Sequence, residues 1–268
     1  MATAEHAQIR RIVDADQKAA RFYASKAQME GLPTANMNVY SHPMIIGLWF
    51  ASSYAFASSV GWWPTPGQSG FFAYLSPIPA FACMALPIMF LVEWLHRPYW
   101  EKRTHDTLRR RDFIDCVAYY NRSPSSGFWF LEFSGRFVGL IAIDASKDSL
   151  SDEVVIKSSP DAANQNPDFS EGTSSTARIR HFYVEEPYRS TSIQDDLLEH
   201  ALTHTFTHSF NIERVVAREE SHVPYVGQAL RRQGFRTKSV LEKAGLFKWE
   251  VRELVLERAN WKGKAKPS

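Results

Sequence analysis

Hydrophobic positions between Met44 and Val92 follow no amphipathic period. Met44–Trp63 reads MIIGLWFASSYAFASSVGWW and Phe71–Val92 reads FFAYLSPIPAFACMALPIMFLV, apolar around the whole helical wheel. Each run is long enough to cross a hydrocarbon core of about 30 Å as a helix. Pro64–Gly70, PTPGQSG, lies between them and breaks any helix. The pattern predicts a helical hairpin that spans a membrane or re-enters it. Ser52, Ser53, Ser58 and Ser59 dilute the first run, and Pro77, Pro79 and Pro87 predict kinks in the second.

Outside this stretch the period changes to that of a folded domain. Ile9–Val13 reads as a strand, followed by a helix from Gln17 to about Glu30 that Asp14 and Asp16 can cap. Thr104–Tyr120 reads as one helix with Phe113, Ile114, Val117 and Tyr120 on its apolar side. Phe128–Phe133 and Phe137–Ile143 are strands joined by Ser134-Gly135-Arg136. Ser146–Thr176, rich in Ser, Asp, Asn and Pro, reads as a flexible loop. Then follow a strand over Arg178–Val184, a helix over Ser192–Ser209 and a strand over Glu213–Ala217. A short helix over Pro224–Gln233 and strands over Phe235–Leu241 and Gly245–Val255 complete the order. This order predicts a mixed α/β (α+β) domain from residues 1–40 and 97–258. Residues 43–96 form the inserted hairpin and 259–268 a basic tail.

Charge sharpens the picture. No Asp, Glu, Lys or Arg stands between Glu30 and Glu93, although 22% of the chain is charged. Lys18, Arg21 and Lys26 precede the hairpin, and Arg97, Lys102, Arg103 and Arg109–Arg111 follow it. By the positive-inside rule both flanks face the cytosol. The expected location is an intracellular membrane such as the endoplasmic reticulum, with the folded domain cytosolic. Trp62, Trp63, Trp94, Tyr99 and Trp100 stand at the span ends, as aromatic belts do. The net charge of +2 gives no bulk argument for nucleic acid, and the basic run beside the span suits anionic lipid headgroups better. Two cysteines, Cys83 and Cys116, exclude a disulfide framework.

Four motifs carry a family resemblance. IRRIVDADQKAARFY, FWFLEFSGRFVGLIAI, IRHFYVEEPYRSTSIQDDLLEHAL and ALRRQGFR occur in this order. They resemble, in turn, the first strand and helix, the second and third strands, the acyl-CoA motif, and the short helix before the last strands of the GNAT superfamily of N-acyltransferases. The hairpin between first helix and second strand is similar to that of the membrane-bound, camello-like branch, which acts on cysteine S-conjugates and aspartate. The resemblance implies a GNAT-like mixed central sheet flanked by helices, acetyl-CoA as co-substrate, an amine acceptor and membrane lipid as a partner.

It also implies site residues. The acyl-CoA pyrophosphate would rest on Val184, Arg189, Ser190, Thr191, Ser192, Ile193 and Gln194, where helix-terminal amides and the helix dipole favour an anion. Ser192 replaces a motif glycine, Gln194 replaces a glycine or alanine, and Leu230 stands where the family often has an acidic tyrosine. Tyr225 is the stand-in for that tyrosine. His181, with an ordinary pKa near 6.5, is a candidate base, and Glu219 a candidate holder of the ammonium. Ser192 and Asp195 form an S-x-x-D pattern that predicts self-capping, and Asp195 and Asp196 place negative charge beside the phosphate site. These departures support a second reading, a catalytically inactive GNAT fold serving as an interaction or regulatory module. His200, His204 and His208 share a helix face, but their rise of 1.5 Å per residue spreads them too far for one metal ion.

Overall fold

The computed structural model describes residues 7–64, 74–154, 171–245 and 248–263. It divides into a folded unit of residues 1–29 and 102–268 and a second unit of residues 30–101.

The folded unit is a seven-stranded mixed sheet flanked by helices. The strands are β1 (Ala7–Arg11), β2 (Gly127–Phe133), β3 (Arg136–Ser146), β4 (Thr173–Val184), β5 (Arg214–Glu220), β6 (Arg236–Ala244) and β7 (Trp249–Glu257). Their order is β1-β2-β3-β4-β5-β7-β6. Only β4 and β5 pair in parallel; all other ladders are antiparallel.

The helices of this unit are α1 (Gln17–Met29), α5 (Cys116–Tyr120), α6 (Ile193–His208) and α7 (Pro224–Arg232); α2 (Gly31–Tyr40), α3 (Pro43–Val60) and α4 (Ile78–Leu108) come between α1 and α5 in the chain. One sheet face packs Leu131, Ile141, Ile143, Val184 and Leu254 with Leu197, Leu198 and Phe206 of α6. The other packs Phe128, Phe130, Leu140 and Tyr183 with Ala20 and Ala24 of α1 and Tyr119 and Tyr120 of α5. Each large apolar side chain buried this way contributes about 1.5–3 kcal/mol. Gly139 explains the glycine of the FVGL motif: a Cβ there would meet the Tyr183 carbonyl at 2.8 Å and Val184 Cγ2 at 2.9 Å. Only a bare backbone lets β3 and β4 approach with α6 on top.

Two expectations need correction. The Thr104–Tyr120 helix is broken: a long helix ends at Leu108, a single 3-10 turn covers Arg111–Phe113, and α5 starts afresh where Asp115 Oδ1 accepts the Ala118 N–H at 2.9 Å. The break turns Asp112 and Phe113 inward, where both are buried. The stretch read as a loop is strand at both ends, since β3 reaches Ser146 and β4 starts at Thr173. Its small hydroxyl residues carry no hydrophobic alternation. They are held by polar bonds instead: Ser123 Oγ to Thr173 Oγ1 at 2.9 Å, and Ser149 Oγ donating to the Thr176 carbonyl at 2.9 Å. Residues 155–170 of that stretch lie outside the described ones.

The second unit contains α2 (Gly31–Tyr40), α3 (Pro43–Val60) and most of α4 (Ile78–Leu108). α2 carries no sequence period that announces it. α3 and α4 are long and apolar enough to cross a membrane by length and composition, and only 11% of each apolar window is buried. Met44, Leu48, Phe50 and Tyr54 of α3, and Leu86, Phe90 and Leu91 of α4, are exposed. Between the two helices Trp49 Nε1 donates to the Phe81 carbonyl at 2.9 Å, and Ser53, Ala57 and Ala80 are fully buried. At the other end of the hairpin Asn36 hydrogen-bonds both Glu93 and His96, the latter at 2.7 Å.

The folded unit has a buried ionic centre on its α5 face. Asp144 Oδ2 accepts from Arg180 Nε at 2.8 Å and from the Tyr119 hydroxyl at 2.9 Å, while Oδ1 accepts the Ser146 N–H at 3.0 Å. Arg122 stacks 3.7 Å over the Tyr119 ring and bonds Asp148 through both carboxylate oxygens at 3.0 Å. Removing one partner of a buried pair strands the other charge at a cost of about 3–5 kcal/mol. Asp144→Ala should therefore destabilise by that amount in thermal or denaturant unfolding. Tyr119→Phe, which removes one hydrogen bond, should cost only about 1–2 kcal/mol.

Candidate functional site

The candidate site lies where the parallel ladder ends. β4 and β5 pair through Thr176–Arg214, Ala177–Val215 and Arg178–Val216 and no further. Beyond that point β4 stays with β3 up to Val184, and β5 stays with β7 up to Glu220. The sheet opens between them. A register shift of β4 against β3, between Ala142 and Ile143, lies next to this parting. Such bulges bend a strand and increase its twist. The shift also sends Arg180 and His181 toward one face, since Arg180 bonds Asp144 and His181 bonds Asp112.

Three predicted residues meet at the end of the opening. The Val184 N–H points at the Tyr225 hydroxyl at 3.4 Å. Arg189 Nε donates to the Val184 carbonyl at 2.8 Å, and its guanidinium lies 3.9 Å over the Tyr225 ring. Tyr183 flanks the same guanidinium at 5.9 Å. The turn leaving β4 is a 3-10 segment, Glu186–Thr191, which carries Arg189, Ser190 and Thr191 and is anchored by Glu185 N–H to the Val138 carbonyl at 2.8 Å.

The start of α6 corrects the self-capping expectation. Ser192 is the N-cap residue but makes no side-chain cap bond. Its backbone is left-handed, φ 59° and ψ 18°, whereas a capping serine needs extended dihedrals to reach the N2 or N3 amide. It occupies the conformation that the motif's glycine adopts without strain. The first amides of α6, those of Ile193 and Gln194, have no acceptor in the helical ladder. Gln194 turns inward, Nε2 donating to the Arg189 carbonyl at 3.1 Å. Asp195 does not face the turn as a bare charge, because Arg232 of α7 meets it at 2.9 Å.

Beside this helix start is a cavity of about 640 Å³ lined by Thr191 and Ser192, by the cations Arg231, Arg232 and Lys262, and by the carboxylates Asp195, Asp196 and Glu199. Its cations come from the C-terminus of α7 and from the residues after β7. In the sequence the RR of ALRRQGFR reads as part of a helix motif and Lys262 as part of a basic tail, and neither announces a shared lining.

His181 and Glu219 lie elsewhere. His181 is fully enclosed between Phe113 and Phe128, with Nε2 2.7 Å from Asp112 Oδ2. Tyr120 donates to the same oxygen at 2.9 Å. Burial lowers the imidazole pKa, outweighing the pull of Asp112, so the ring is neutral and donates to the carboxylate. Burial works to raise Asp112, but His181, Arg180 and Tyr120 together bring it down to about 2. Glu219 is buried under α7 and paired with Arg231 at 2.5 Å. Gly227 leaves room for it, since a Cβ there would fall 1.8 Å from Glu219 Oε1. Leu230 is wholly buried in the core. Among the described residues no group of three His, Cys, Asp or Glu is placed to hold a metal ion. His204, with its pKa depressed to about 4 by burial, then by His208 and Arg11, bonds the Pro124 carbonyl at 3.1 Å.

No family model and no curated protein matches the chain. Solved structures do resemble it. The acetyltransferase of the GNAT family from Streptococcus pneumoniae is 9% identical, with a TM-score of 0.47 over 94% of this chain and 99% of that one. The ribosomal-protein-alanine N-acetyltransferase from Brucella melitensis is 14% identical, with a TM-score of 0.44 over 93% and 99%. The spermidine N-acetyltransferase from Vibrio cholerae, in complex with CoA and spermine, is 10% identical, with a TM-score of 0.41 over 95% and 96%.

The Asp112–His181 pair has a definite pH signature. Both groups have folded pKa values below their ordinary ones, so both contribute stability that is present at high pH and lost as pH falls. For His181 the loss starts below about 6.5, and for Asp112 it runs from about pH 4 down to about 2. The Asp112 part is on the order of 2 kcal/mol. Denaturant unfolding between pH 7 and 3 should show falling stability in the wild type, with the loss below pH 4 diminished in Asp112→Asn.

Proposed function

We propose that the chain is a membrane-anchored N-acetyltransferase that moves an acetyl group from acetyl-CoA to a primary amine. The observation that carries this reading is the opening between β4 and β5, closed at its end by Val184, Arg189 and Tyr225, with the N-terminus of α6 following it.

The residues present fit the co-substrate. Backbone amides of Ile193 and Gln194 and the α6 dipole suit the pyrophosphate, and the left-handed Ser192 lets the turn present them. In the adjoining cavity Arg232 offsets Asp195, and Lys262 stands as a further cation beside Asp196 and Glu199. The thioester supplies an acyl carbon already activated toward amines. The chain's own part is orientation and proton handling. The Val184 N–H is placed to bond an acyl carbonyl oxygen as charge develops on it. Tyr225, in contact with that N–H, is placed to give a proton to the departing thiolate. His181, sealed behind Phe113 and tied to Asp112, acts as a support of β4 rather than as the base.

The test is acetyl-CoA binding by calorimetry on the purified full chain. Micromolar to millimolar affinity is expected in the wild type. Arg189→Ala should weaken it by about 1.5–3 kcal/mol, as loss of a charged hydrogen bond at the turn does. Ser192→Gly should leave it equal or tighter. Absence of binding at millimolar ligand would favour the inactive-module reading, and tight binding indifferent to Arg189 would move the site elsewhere.

The anchor is α3 and α4, with both flanks of the hairpin cytosolic and residues 64–70 on the far side. The basic flanks and the exposed apolar faces of both helices support it. Alkaline carbonate should leave the protein in the membrane pellet. Quantitative release would reduce the hairpin to a peripheral attachment.

A further inference from the structure

A second charged centre lies at the parting of β4 and β5, on the face away from α6. Ala177 and Ile179 of β4, and Val215 and Ala217 of β5, face the core under α6, so Arg178 and Arg218 share the opposite face. There three guanidinium groups from three segments converge on one carboxylate. Arg218 reaches Asp152 Oδ2 at 2.7 Å and Arg178 reaches the same oxygen at 3.0 Å. Arg110 comes from the segment after α4 and gets no closer than 3.5 Å to Oδ1.

The fit of that carboxylate is poor. Asp152 Oδ1 is buried and accepts no hydrogen bond among the described residues, and Arg110 Nε is likewise buried without a hydrogen-bond partner. Among the described residues one carboxylate faces three guanidinium groups within ion-pair distance. Arg178 and Arg218 share Oδ2, while Oδ1, with its acceptor capacity unused, meets Arg110 at ion-pair distance only. Arg218 and Asp152 are each about a third exposed, which leaves the cluster open to solvent on one side. Burial and the neighbouring Arg218 hold the Arg178 guanidinium below its ordinary pKa, as an under-neutralised cluster does.

We propose that Arg110, Arg178 and Arg218 form a binding site for a tetrahedral oxyanion, a phosphate group, which the chain's own Asp152 fills in its absence. Three or four oxygens in a tetrahedral arrangement give each guanidinium a partner. The proposal is independent of acyl transfer, since the acetyl-CoA residues named above lie around α6 and α7.

The test is thermal unfolding of the full chain in detergent with inorganic phosphate, against chloride at matched ionic strength. Asp152→Asn should melt lower than wild type in chloride and recover in millimolar phosphate. Wild type should respond weakly, and Asp152→Asn combined with Arg218→Ala should not respond. The same variants in nanodiscs containing phosphatidate, against phosphatidylcholine alone, separate a lipid phosphate from a free one. A response to either source supports the site and says which ligand it takes. If Asp152→Asn does not fold, phosphate should still slow modification of Arg218 by phenylglyoxal in the wild type, relative to the exposed Arg136. No phosphate-specific recovery in Asp152→Asn, or no protection of Arg218, would overturn the proposal and leave the arginines as ties for the loop after β3.

Discussion

After Arg178 and Val216 the parallel ladder stops, and the remaining backbone of β4 and β5 must be satisfied in other ways. Each strand keeps its outer neighbour, β3 or β7, so only the inner edges are released. Unpaired backbone groups in a buried position are costly. At Val184 the cost is met by side chains, Tyr225 taking the N–H and Arg189 the carbonyl. The opening lies next to the register shift in β4, and at its end Tyr225 and Arg189 compensate for the ladder that Val184 lacks on that side.

The same shift explains the polar side of the sheet. It brings Arg180 and His181 onto one face, where a carboxylate must accompany each charge or polar ring. Asp144 comes from β3 and Asp112 from the turn that interrupts the helical run before α5. The break in that run is what lets Asp112 reach His181 while Phe113 covers the ring. A helix continued through residues 109–120 would not make both contacts. The ionic centre is therefore costly to disturb.

The second unit is held together in a different way. Its helices are held together by few polar contacts, Trp49 to Phe81 and Asn36 to Glu93 and His96, and by small residues that let the backbones approach. Large side chains point outward.

The sequence by itself determined the elements whose period is strong. The charge-free stretch gave α3 and the apolar part of α4. Short apolar runs on either side of Ser134-Gly135-Arg136 gave β2 and β3, and the 3.6-residue stripe with its turn residues gave α6 and α7 within a residue or two. Where hydroxyl residues replace apolar alternation, as in Thr173–Thr176, pattern reading failed, because those residues are held by long-range bonds from Ser123 and Ser149 that no local window contains. The site was legible in part. Val184, Arg189 and Tyr225 were named from motif order, and they do meet. Only the tertiary structure decided that His181 is sealed against Asp112, that Glu219 belongs to Arg231, that Asp195 is neutralised by Arg232 and that Ser192 does not cap. Each of those outcomes depends on a partner a dozen or more residues away, or on a backbone dihedral set by the chain on both sides, and neither is written in the identity of the residue itself.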